Sequence, residues 1–512
     1  MQSTHRPTQL GLLLAAGLLT IGVILFAMQI TRTNYLASAT SSSPTTTQPT
    51  TGITYYVAPT GNDRNTGISI NTPWRTLAKV NRSSFRPGDQ ILLQRGSLWR
   101  ETLLVPSSGV AGQPITIDAY GSGDAPVIDG ADQAGRPVRK IGIQLTNRQY
   151  VVIQNLTIQN ASSRNIQITN KGTDGYNELR HLTVRNAVYP GIDLTDTGHN
   201  LIDSCEIAGN GREGILVDFT RDMPGLGFNT FSNNQIHDNV MPGINLIGSG
   251  SAQRTVHNSI HDNVIYGNGD GVYLHYADYT DVAHNTIHEN NNQGYKGEGT
   301  GISHMTASYN DAHDNVIYGQ RRSGIEYWGG KPHDGHDYGR TDGNRAYRNH
   351  IYNNARDDGA GIFLSSAYSN DTVLAYNLIE HNGSDHNNVS YGILLPNAPD
   401  TGSMILNNTI VANVRGQLRV KGAQTIVRNN VLGDPDYVVY SDGSYTVTGD
   451  LKFVDPDQGD FKLQSSASGI VSGVDLSDLP ADILAIVNQD ITGALIQGKR
   501  AIGACGFEAR KG

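Results

Sequence analysis

The amino-acid sequence predicts an all-β protein, a parallel β-helix in which the chain winds through stacked coils and is capped at both ends. Three observations predict this fold. A short apolar segment recurs about every 27 residues along most of the chain. Within each copy apolar and polar residues alternate, which is the period of a β-strand. Finally, 59 of the 512 residues are Gly and only 17% are charged, as a turn-rich repeat requires.

The N-terminal segment is predicted to direct the chain to or across a membrane. Residues 10–30 carry no formal charge, follow Arg6 and are long enough to span a bilayer. A sequence like a signal-peptidase site, Ala37-Ser38-Ala39, lies beyond the end of the apolar segment, which favours an anchor over a cleaved leader. Residues 1–37 are therefore a signal peptide or a signal anchor, and residues 38–52 are a Ser/Thr/Pro-rich linker. Either alternative places the body of the protein outside the cytoplasm, secreted or anchored to the membrane by its N-terminal helix.

Residues 53–433 are predicted to form the coils. The repeated segment is exemplified by NQIHDN at 234–239, and β-branched Ile and Val dominate its copies. The centres of the copies are Ile158, Val184, Ile207, Ile236, Ile260, Ile287, Ile317, Ile351, Ile379, Ile410 and Leu432. Fixed short strands joined by loops of variable length indicate a stacked solenoid.

An internal asparagine ladder is expected beside these strands. The position two residues before each centre faces the same side as the centre, and from the fourth copy onward it is always Asn. The ladder residues are Asn234, Asn258, Asn285, Asn315, Asn349, Asn377, Asn408 and Asn430. A buried amide is costly unless it is satisfied, and identical amides stacked one strand apart satisfy one another. In the third copy the position is Cys205, which is expected to be a buried thiol.

A second strand in each coil begins with Gly, as in GIDL at 191 and GISH at 301. The Gly is expected to permit a bend, after which alternation defines two outward columns of side chains. The first column reads Asp193, Leu216, Asn245, Tyr273, Ser303, Glu326, Phe363 and Leu394. The second reads Thr195, Asp218, Ile247, His275, Met305, Trp328, Ser365 and Pro396.

Both ends of the solenoid need covers. Residues 72–81, TPWRTLAKVN, carry a helix start signal and suit an N-terminal capping helix. Residues 434–512 are predicted to be C-terminal coils and a closing segment, with a short helix around 479–487.

The chain resembles a known group at its entry and its end. The segments are YYVAPTGNDRNTG (55–67), PGDQILLQRGSLWRETL (87–103), SGVAGQPITIDAYGSGDAPVIDG (108–130), FVDPDQGDFKLQ (453–464) and AIGACGFE (501–508). They are similar to segments of secreted right-handed parallel β-helix proteins of the pectate-lyase-like superfamily. The resemblance implies a right-handed solenoid and an enzyme acting on a polysaccharide, as a lyase, an epimerase or a glycoside hydrolase.

The middle coils are the predicted site, because their outward columns combine aromatic rings with titratable groups next to long loops. The spacing of Lys296 and Arg321 resembles the Lys and Arg of chondroitinase-like and alginate lyases. The first hypothesis is therefore β-elimination on an acidic, uronate-containing polysaccharide. The predicted catalytic residues are Lys296, Arg321, His275 and Glu326, and the predicted substrate-binding residues are Tyr273, Trp328, Asp218 and Arg322.

Two alternatives stay open. A glycoside hydrolase would need a pair of carboxylates, for which Glu298 with Glu326, or Asp218 with Glu326, are candidates. A surface protein that binds glycan or cell wall without turnover would use the same aromatic residues.

No cofactor is identified with certainty, and Ca²⁺ is the candidate. Asp334, Asp337 and Asp342 supply closely spaced oxygen ligands in a Gly-containing loop. The His-Asp-Asn copies at 237, 261 and 313 recur with the repeat, so they are expected to stabilise turns instead of binding metal. With 38 basic and 47 acidic residues, the net charge of −9 offers no footprint for nucleic acid.

Overall fold

A computed structural model describes residues 52–493 and 503–504, except 220–225, 251–252, 292–298, 331–338, 365–367, 387–388, 397–400, 422–423, 434–437, 440–445, 449–452, 456–459 and 464–474. The predicted leader and linker, apart from Gly52, lie outside the described residues. Among the described helices, neither has the length and apolar character that a bilayer crossing requires.

The described strands form three long parallel sheets, and every coil contributes one strand to each sheet in turn. Sheet A contains β1 (Thr54–Val57), β2 (Gln90–Gln94), β5 (Ile115–Tyr120), β8 (Val151–Gln154), β11 (Glu178–Arg180), β14 (Leu201–Asp203), β17 (Thr230–Ser232), β21 (Ser259–His261), β25 (Asp281–Ala283), β28 (Asp311–His313), β31 (Arg345–Tyr347), β34 (Val373–Ala375), β37 (Thr401–Leu406) and β40 (Gln424–Arg428). Sheet B contains β3 (Leu98–Trp99), β6 (Val127–Asp129), β9 (Thr157–Gln159), β12 (Thr183–Arg185), β15 (Glu206–Ala208), β18 (Gln235–His237), β22 (Val264–Tyr266), β26 (Thr286–His288), β29 (Val316–Tyr318), β32 (His350–Tyr352), β35 (Leu378–Glu380), β38 (Thr409–Val411), β41 (Asn430–Leu432) and β43 (Thr446–Thr448).

Sheet C contains β4 (Leu103–Leu104), β7 (Ile141–Thr146), β10 (Arg164–Asp174), β13 (Ile192–Gly198), β16 (Ile215–Asp218), β19 (Ile244–Ile247), β23 (Val272–His275), β27 (Ile302–Met305), β30 (Ile325–Trp328), β33 (Ile362–Leu364), β36 (Tyr391–Leu395), β39 (Gly416–Val420) and β42 (Val438–Val439). Two short pairs complete the description: β20 (Thr255–Val256) runs parallel to β24 (Ala277–Asp278), and β44 (Phe453–Asp455) runs antiparallel to β45 (Asp460–Leu463). The predicted right-handed parallel β-helix is confirmed, with three strands per coil where the sequence indicated at least two.

The repeat centres lie inside the solenoid, and one of them was assigned to the wrong sheet. Ile236 and Ile287 lie on sheet B and are fully buried, as the alternation predicts. Ile260 instead lies on sheet A, in β21, and the sheet B residue of that coil is Ile265. The error arises because the segments around Ile260 and Ile265 carry nearly the same local pattern, and only the stacking register distinguishes them.

The predicted asparagine ladder is confirmed at the corner between sheets A and B, with one correction. Each side-chain amide there donates to the next carboxamide oxygen, as Asn285 does to Asn315 at 3.0 Å and Asn315 to Asn349 at 3.0 Å. Asn263, not Asn258, occupies this ladder between Asn234 and Asn285.

Two further ladders stand at the other corners. Asn258 belongs to the one that leads into sheet A, where it accepts from Asn229 at 3.1 Å. The third, after sheet B, includes Asn210, Asn239 and Asn268, with amide-to-oxygen distances of 2.8 Å. Residues with positive φ precede many of the ladder amides, as Asn233 (φ 56°) precedes Asn234, so each corner is a tight turn closed by a buried amide.

Gly is required at the start of these strands because the neighbouring atoms leave no space for a side chain. The expectation that Gly is needed there for a bend is therefore wrong. Gly271 and Gly301 do not have the positive φ that only Gly adopts readily. A Cβ at Gly271 would lie 2.4 Å from the carbonyl oxygen of Gly301 and 2.6 Å from Cγ2 of Ile287. The interior is therefore too tightly packed at this column for any side chain.

Helix α1 (Leu77–Asn81) forms within the predicted N-terminal capping segment. Thr76 caps it by accepting from the Lys79 N–H at 3.1 Å, and Leu77 and Val80 are buried in the core. Helix α2 (Ala481–Val487) forms within the predicted C-terminal segment and packs Ile483 against the outer face of sheet A beside Tyr376.

Candidate active site on the outer face of sheet C

The two predicted outward columns are confirmed by the strand register of sheet C. Asp193 pairs with Leu216, and the same column continues in register to Glu326 and Phe363. Thr195 pairs with Asp218, and that column continues to Trp328. Ser365 lies outside the described residues. Most of the first column is buried, whereas the second column is partly exposed along its described length.

A carboxylate cluster lies at the N-terminal side of this face. Asp193 is buried, forms an ion pair with Arg164 and accepts from the Thr195 hydroxyl at 2.8 Å. Asp218 lies diagonally across from Asp193 on the next strand, so their Cα atoms are about 7–8 Å apart. Burial, reinforced by the charges of Asp193 and Asp196, raises the pKa of Asp218 above its ordinary value.

His275 lies on the same column as Asp218, two strands further along. Asp218 pairs with Ile247, and Ile247 pairs with His275. With strands about 4.8 Å apart, the Cα atoms of Asp218 and His275 are roughly 10 Å apart, with Ile247 between them.

The surroundings of His275 keep its imidazole neutral. Its ring stacks on Tyr276 at 4.3 Å and meets Tyr273 edge-on at 6.2 Å. Burial and then the positive charge of Arg254 lower the pKa of His275 to about 4. Its Nε2 is buried and makes no hydrogen bond within the described part of the chain.

Glu326 shares the outer face of sheet C with His275 but is not beside it. The two residues are two strands and one column apart, roughly 12 Å between Cα atoms. Glu326 is 2% exposed and accepts from the Thr300 hydroxyl at 3.5 Å. Trp328 and Tyr273 lie partly exposed on the same face, where an aromatic ring can contact a sugar.

The two predicted basic residues that the structure describes, Arg321 and Arg322, lie beside acidic residues of the next coil. Arg321 lies in the turn that leads into β30, and its guanidinium binds Asp357 of the next coil at 2.9 Å. Arg322 is 3.6 Å from the carboxylate of Asp358. Lys296 lies outside the described residues, so the predicted cation pair stays a prediction.

Of the two carboxylate pairs predicted for a hydrolase, Asp218 with Glu326 is not supported, and Glu298 with Glu326 stays a prediction. Asp218 and Glu326 are four strands apart, about 19 Å, which is too far for two groups that flank one bond. Glu298 lies outside the described residues. The pair that the register does bring together, Asp193 with Asp218, could have been found from the alternation that places both on one face.

The Ca²⁺ site also stays a prediction, since Asp334 and Asp337 lie outside the described residues. Asp342 is occupied by protein donors: it pairs with Arg340 and accepts from the Asn370 amide at 3.1 Å.

The His-Asp pairs act at turns, as expected. His237, for example, lies 2.8 Å from Asp238, and the acidic partner has positive φ. The described residues contain one cluster with metal-like geometry, formed by His284, His313 and Asp314. Both ring nitrogens of His313 are already hydrogen bonded, to Asp281 and Asp314, and these bonds outweigh burial and raise its pKa to about 9. Through these hydrogen bonds His313 joins its own coil to the preceding coil at Asp281.

Two family models match the chain. A model of the right handed beta helix region matches residues 174–337, and a model of the Pel9A-like right handed beta helix region matches residues 55–252.

Curated relatives match over short segments. The chain is 41% identical over 103 residues to lacto-N-biosidase of Bifidobacterium longum subsp. longum, covering 19% of this chain and 6% of the relative. It is 36% identical over 109 residues to pectate lyase L of Dickeya dadantii, covering 21% and 24%. It is 27% identical over 213 residues to pectate lyase L of Dickeya chrysanthemi, covering 42% and 43%. The matched segments thus span less than half the length of each of these relatives.

Solved structures share the fold. A GH136 lacto-N-biosidase from Eubacterium ramulus superposes with a TM-score of 0.52 at 15% identity, covering 73% of this chain and 67% of that one. XylC in complex with xylose superposes with a TM-score of 0.51 at 12% identity, covering 88% and 98%. Such identities speak for the fold alone, and together with the family models and the sheet topology they lead to one conclusion. The chain is a right-handed parallel β-helix protein, and its N-terminal coils match the Pel9A-like model.

Proposed function

We propose that the chain is an extracytoplasmic carbohydrate-active enzyme that binds a polysaccharide across the outer face of sheet C and cleaves it by β-elimination. The observation that carries this proposal is the Asp218 and His275 pair. The two residues stand two strands apart on one partly exposed column, and their surroundings move their pKa values in opposite directions. The raised pKa biases Asp218 towards its protonated form and the lowered pKa biases His275 towards its neutral form, which are the forms that a general acid and a general base need.

In this reaction His275 is the base and Asp218 is the acid. The neutral imidazole takes the proton at C5 of a uronate, and the electron pair of that bond forms the C4–C5 double bond. The bond from C4 to the glycosidic oxygen breaks, and the protonated Asp218 gives its proton to that oxygen. The charge that develops on the uronate carboxylate calls for a cation, the role predicted for Lys296 and Arg321. Tyr273 and Trp328 would contact the sugar rings on either side.

The similarity to two pectate lyases supports the same reaction class, although each match covers under half of the relative. Polygalacturonate, alginate and glycosaminoglycans should therefore be tested as substrates. A lyase releases products that carry the ultraviolet-absorbing double bond of an unsaturated uronate. His275→Ala and Asp218→Asn should each lower kcat by about 100-fold or more with little change in KM.

Matched controls are His386→Ala and Asp124→Asn, since both residues are exposed and far along the chain from the site. If the two site variants cleave as fast as these controls, the acid and base assignment is wrong. If glycan is bound but never cleaved by the wild type, the non-catalytic binding alternative replaces it.

Hydrolysis is the second candidate, and the Asp193 and Asp218 pair favours it. Asp193 forms an ion pair with Arg164 and accepts from the Thr195 hydroxyl at 2.8 Å, while burial and the charges of Asp193 and Asp196 raise the pKa of Asp218. Two carboxyl groups whose Cα atoms are about 7–8 Å apart could flank a glycosidic bond. Reducing ends released without ultraviolet absorbance, and lost in Asp193→Asn but not in His275→Ala, would establish hydrolysis in place of elimination.

A further inference from the structure

A cavity lies at the N-terminal end of the same face, next to helix α1. It has a volume of about 460 Å³, and its lining includes Arg82, Ser84, Gln144, Thr146 and Arg148. None of the residues that line it is Asp or Glu, in a chain whose net charge is −9. The cavity is therefore a local basic and hydroxyl-rich site on an acidic protein.

The two arginines in the cavity differ in how far their side chains are held by hydrogen bonds to the protein. Arg148 is held in place, because its Nε donates to the Val105 carbonyl at 2.9 Å and its Nη1 to the Asn147 carbonyl at 3.2 Å. Arg82 is exposed at the C-terminal end of α1, where its backbone rather than its side chain serves the helix. The Arg82 guanidinium can therefore bind a ligand without breaking a structural contact shown for it.

The cavity is continuous with the proposed active site through the strand register. Thr146 pairs with Thr169, Thr169 with Thr195, and Thr195 with Asp218. The neighbouring column runs from Gln144 through Gln167 to Asp193.

This register gives the distance from the cavity to the acid. Three strand spacings separate Thr146 from Asp218, which is about 14 Å, or roughly three sugar units laid along the solenoid axis. Thr146 is exposed and Gln144, Gln167, Thr169 and Thr195 are partly exposed, so hydroxyl and amide groups recur once per strand, where successive sugar hydroxyls would lie.

We infer that this cavity is a subsite for an anionic sugar of the bound polysaccharide, with Arg82 and Arg148 contacting a carboxylate or a sulfate group. The inference rests on the proposed function, because it places one glycan chain along the face from the cavity to Asp218. A guanidinium suits both anions, since its planar donors match carboxylate and sulfate oxygens in pairs.

Binding is measured on the full chain carrying His275→Ala, so that no substrate is consumed. Oligogalacturonates of two to six units, sulfated oligosaccharides of the same lengths and neutral oligosaccharides are titrated. Oligomers of four or more units with the preferred anion should bind at least about tenfold more tightly than neutral ones. The preferred anion identifies the source as a uronate or a sulfated sugar.

Arg82→Gln should weaken binding of the long anionic oligomers about tenfold, leave the dimers unchanged and reduce the salt dependence of binding. Arg64→Gln is the matched control, since it removes the same charge from an exposed arginine outside the cavity. Equal affinities for Arg82→Gln and Arg64→Gln, or equal affinities for anionic and neutral oligomers, would overturn the inference. A wild type that binds anionic oligomers in this way but cleaves none would refute the proposed function and leave the subsite standing.

Discussion

The buried amide of Asn315 offers a direct test of what holds the coils together. Asn315 is 1% exposed and stands in the middle of the ladder between sheets A and B. Its Oδ1 accepts from the backbone N–H of Asn285 at 2.9 Å and from the Asn285 side chain at 3.0 Å. Its Nδ2 donates to the Val282 carbonyl at 2.7 Å and to Asn349 at 3.0 Å.

The substitution Asn315→Ala should destabilise the protein by about 3 kcal/mol. The Asn285 backbone N–H loses its acceptor in a dry interior, which costs about 1–3 kcal/mol, and each satisfied hydrogen bond lost adds about 1 kcal/mol. The neighbouring residues Asn285 and Asn349 keep other hydrogen bonds, which limits the loss of stability. The Asn285 side chain still donates to the Ile260 carbonyl at 2.8 Å, and Asn349 still accepts from the backbone of residue 315 at 3.0 Å.

The measurement is the free energy of unfolding from denaturant titration, followed by far-ultraviolet circular dichroism. Asn71→Ala serves as the control, because Asn71 is exposed and its side chain makes no hydrogen bond that the structure shows. We expect the control to stay within about 0.5 kcal/mol of the wild type. A loss below about 1 kcal/mol in Asn315→Ala would show that the ladder amides do not support the fold.

Three further predictions follow from the same contacts. His313 has a pKa of about 9, above its unfolded value of about 6.5, so the stability that its protonated form contributes is complete below pH 6.5 and disappears as the pH rises through 9. The wild type should therefore lose about 2 kcal/mol of unfolding free energy between pH 6 and pH 10. A similar loss in His313→Gln would contradict this prediction. Gly271→Ala should cost about 1–3 kcal/mol in the same unfolding assay, because the added Cβ meets the Gly301 carbonyl at 2.4 Å, and an unchanged stability would refute the packing argument. The rate of glycan cleavage should fall as the pH drops through about 4, because His275 becomes protonated there. The rate should fall again as the pH rises past the raised pKa of Asp218. If the rate does not fall at low pH, His275 is not the base.

The fold could be predicted from the sequence because its determinants are local and repeated. Alternation around residues such as Ile236 defines strands, and Asn at a fixed offset defines a buried corner. All three corners of a coil are closed by buried Asn side chains, however. The sequence pattern therefore predicted one ladder, whereas the structure contains three. Asn258 and Asn263 are five residues apart in similar segments, and only the stacking of coils decides which of them follows Asn234.

The site was less predictable because its chemistry comes from residues brought together across coils. Asp218 was expected to bind substrate or, in a hydrolase, to pair with Glu326, and its raised pKa depends on burial and on Asp193 and Asp196 from the preceding coil. Arg82 carries no motif at all. It reaches the face of sheet C because the chain returns past α1 about 60 residues later, at Gln144 and Thr146.

The strand spacing of the solenoid restricts which residues can act on one glycosidic bond. Neighbouring positions on a column are about 4.8 Å apart, so separations come in steps of about 5, 10 and 14 Å. An acid and a base that approach one sugar linkage from both sides need room for the sugar between their side chains. For the acid and the base of the elimination, one step within a single column is too narrow, and the four steps between Asp218 and the coil of Glu326 are too wide. Two steps fit, with Ile247 as an apolar floor between Asp218 and His275, and this is why these two residues are the ones to which we assign the proton transfers.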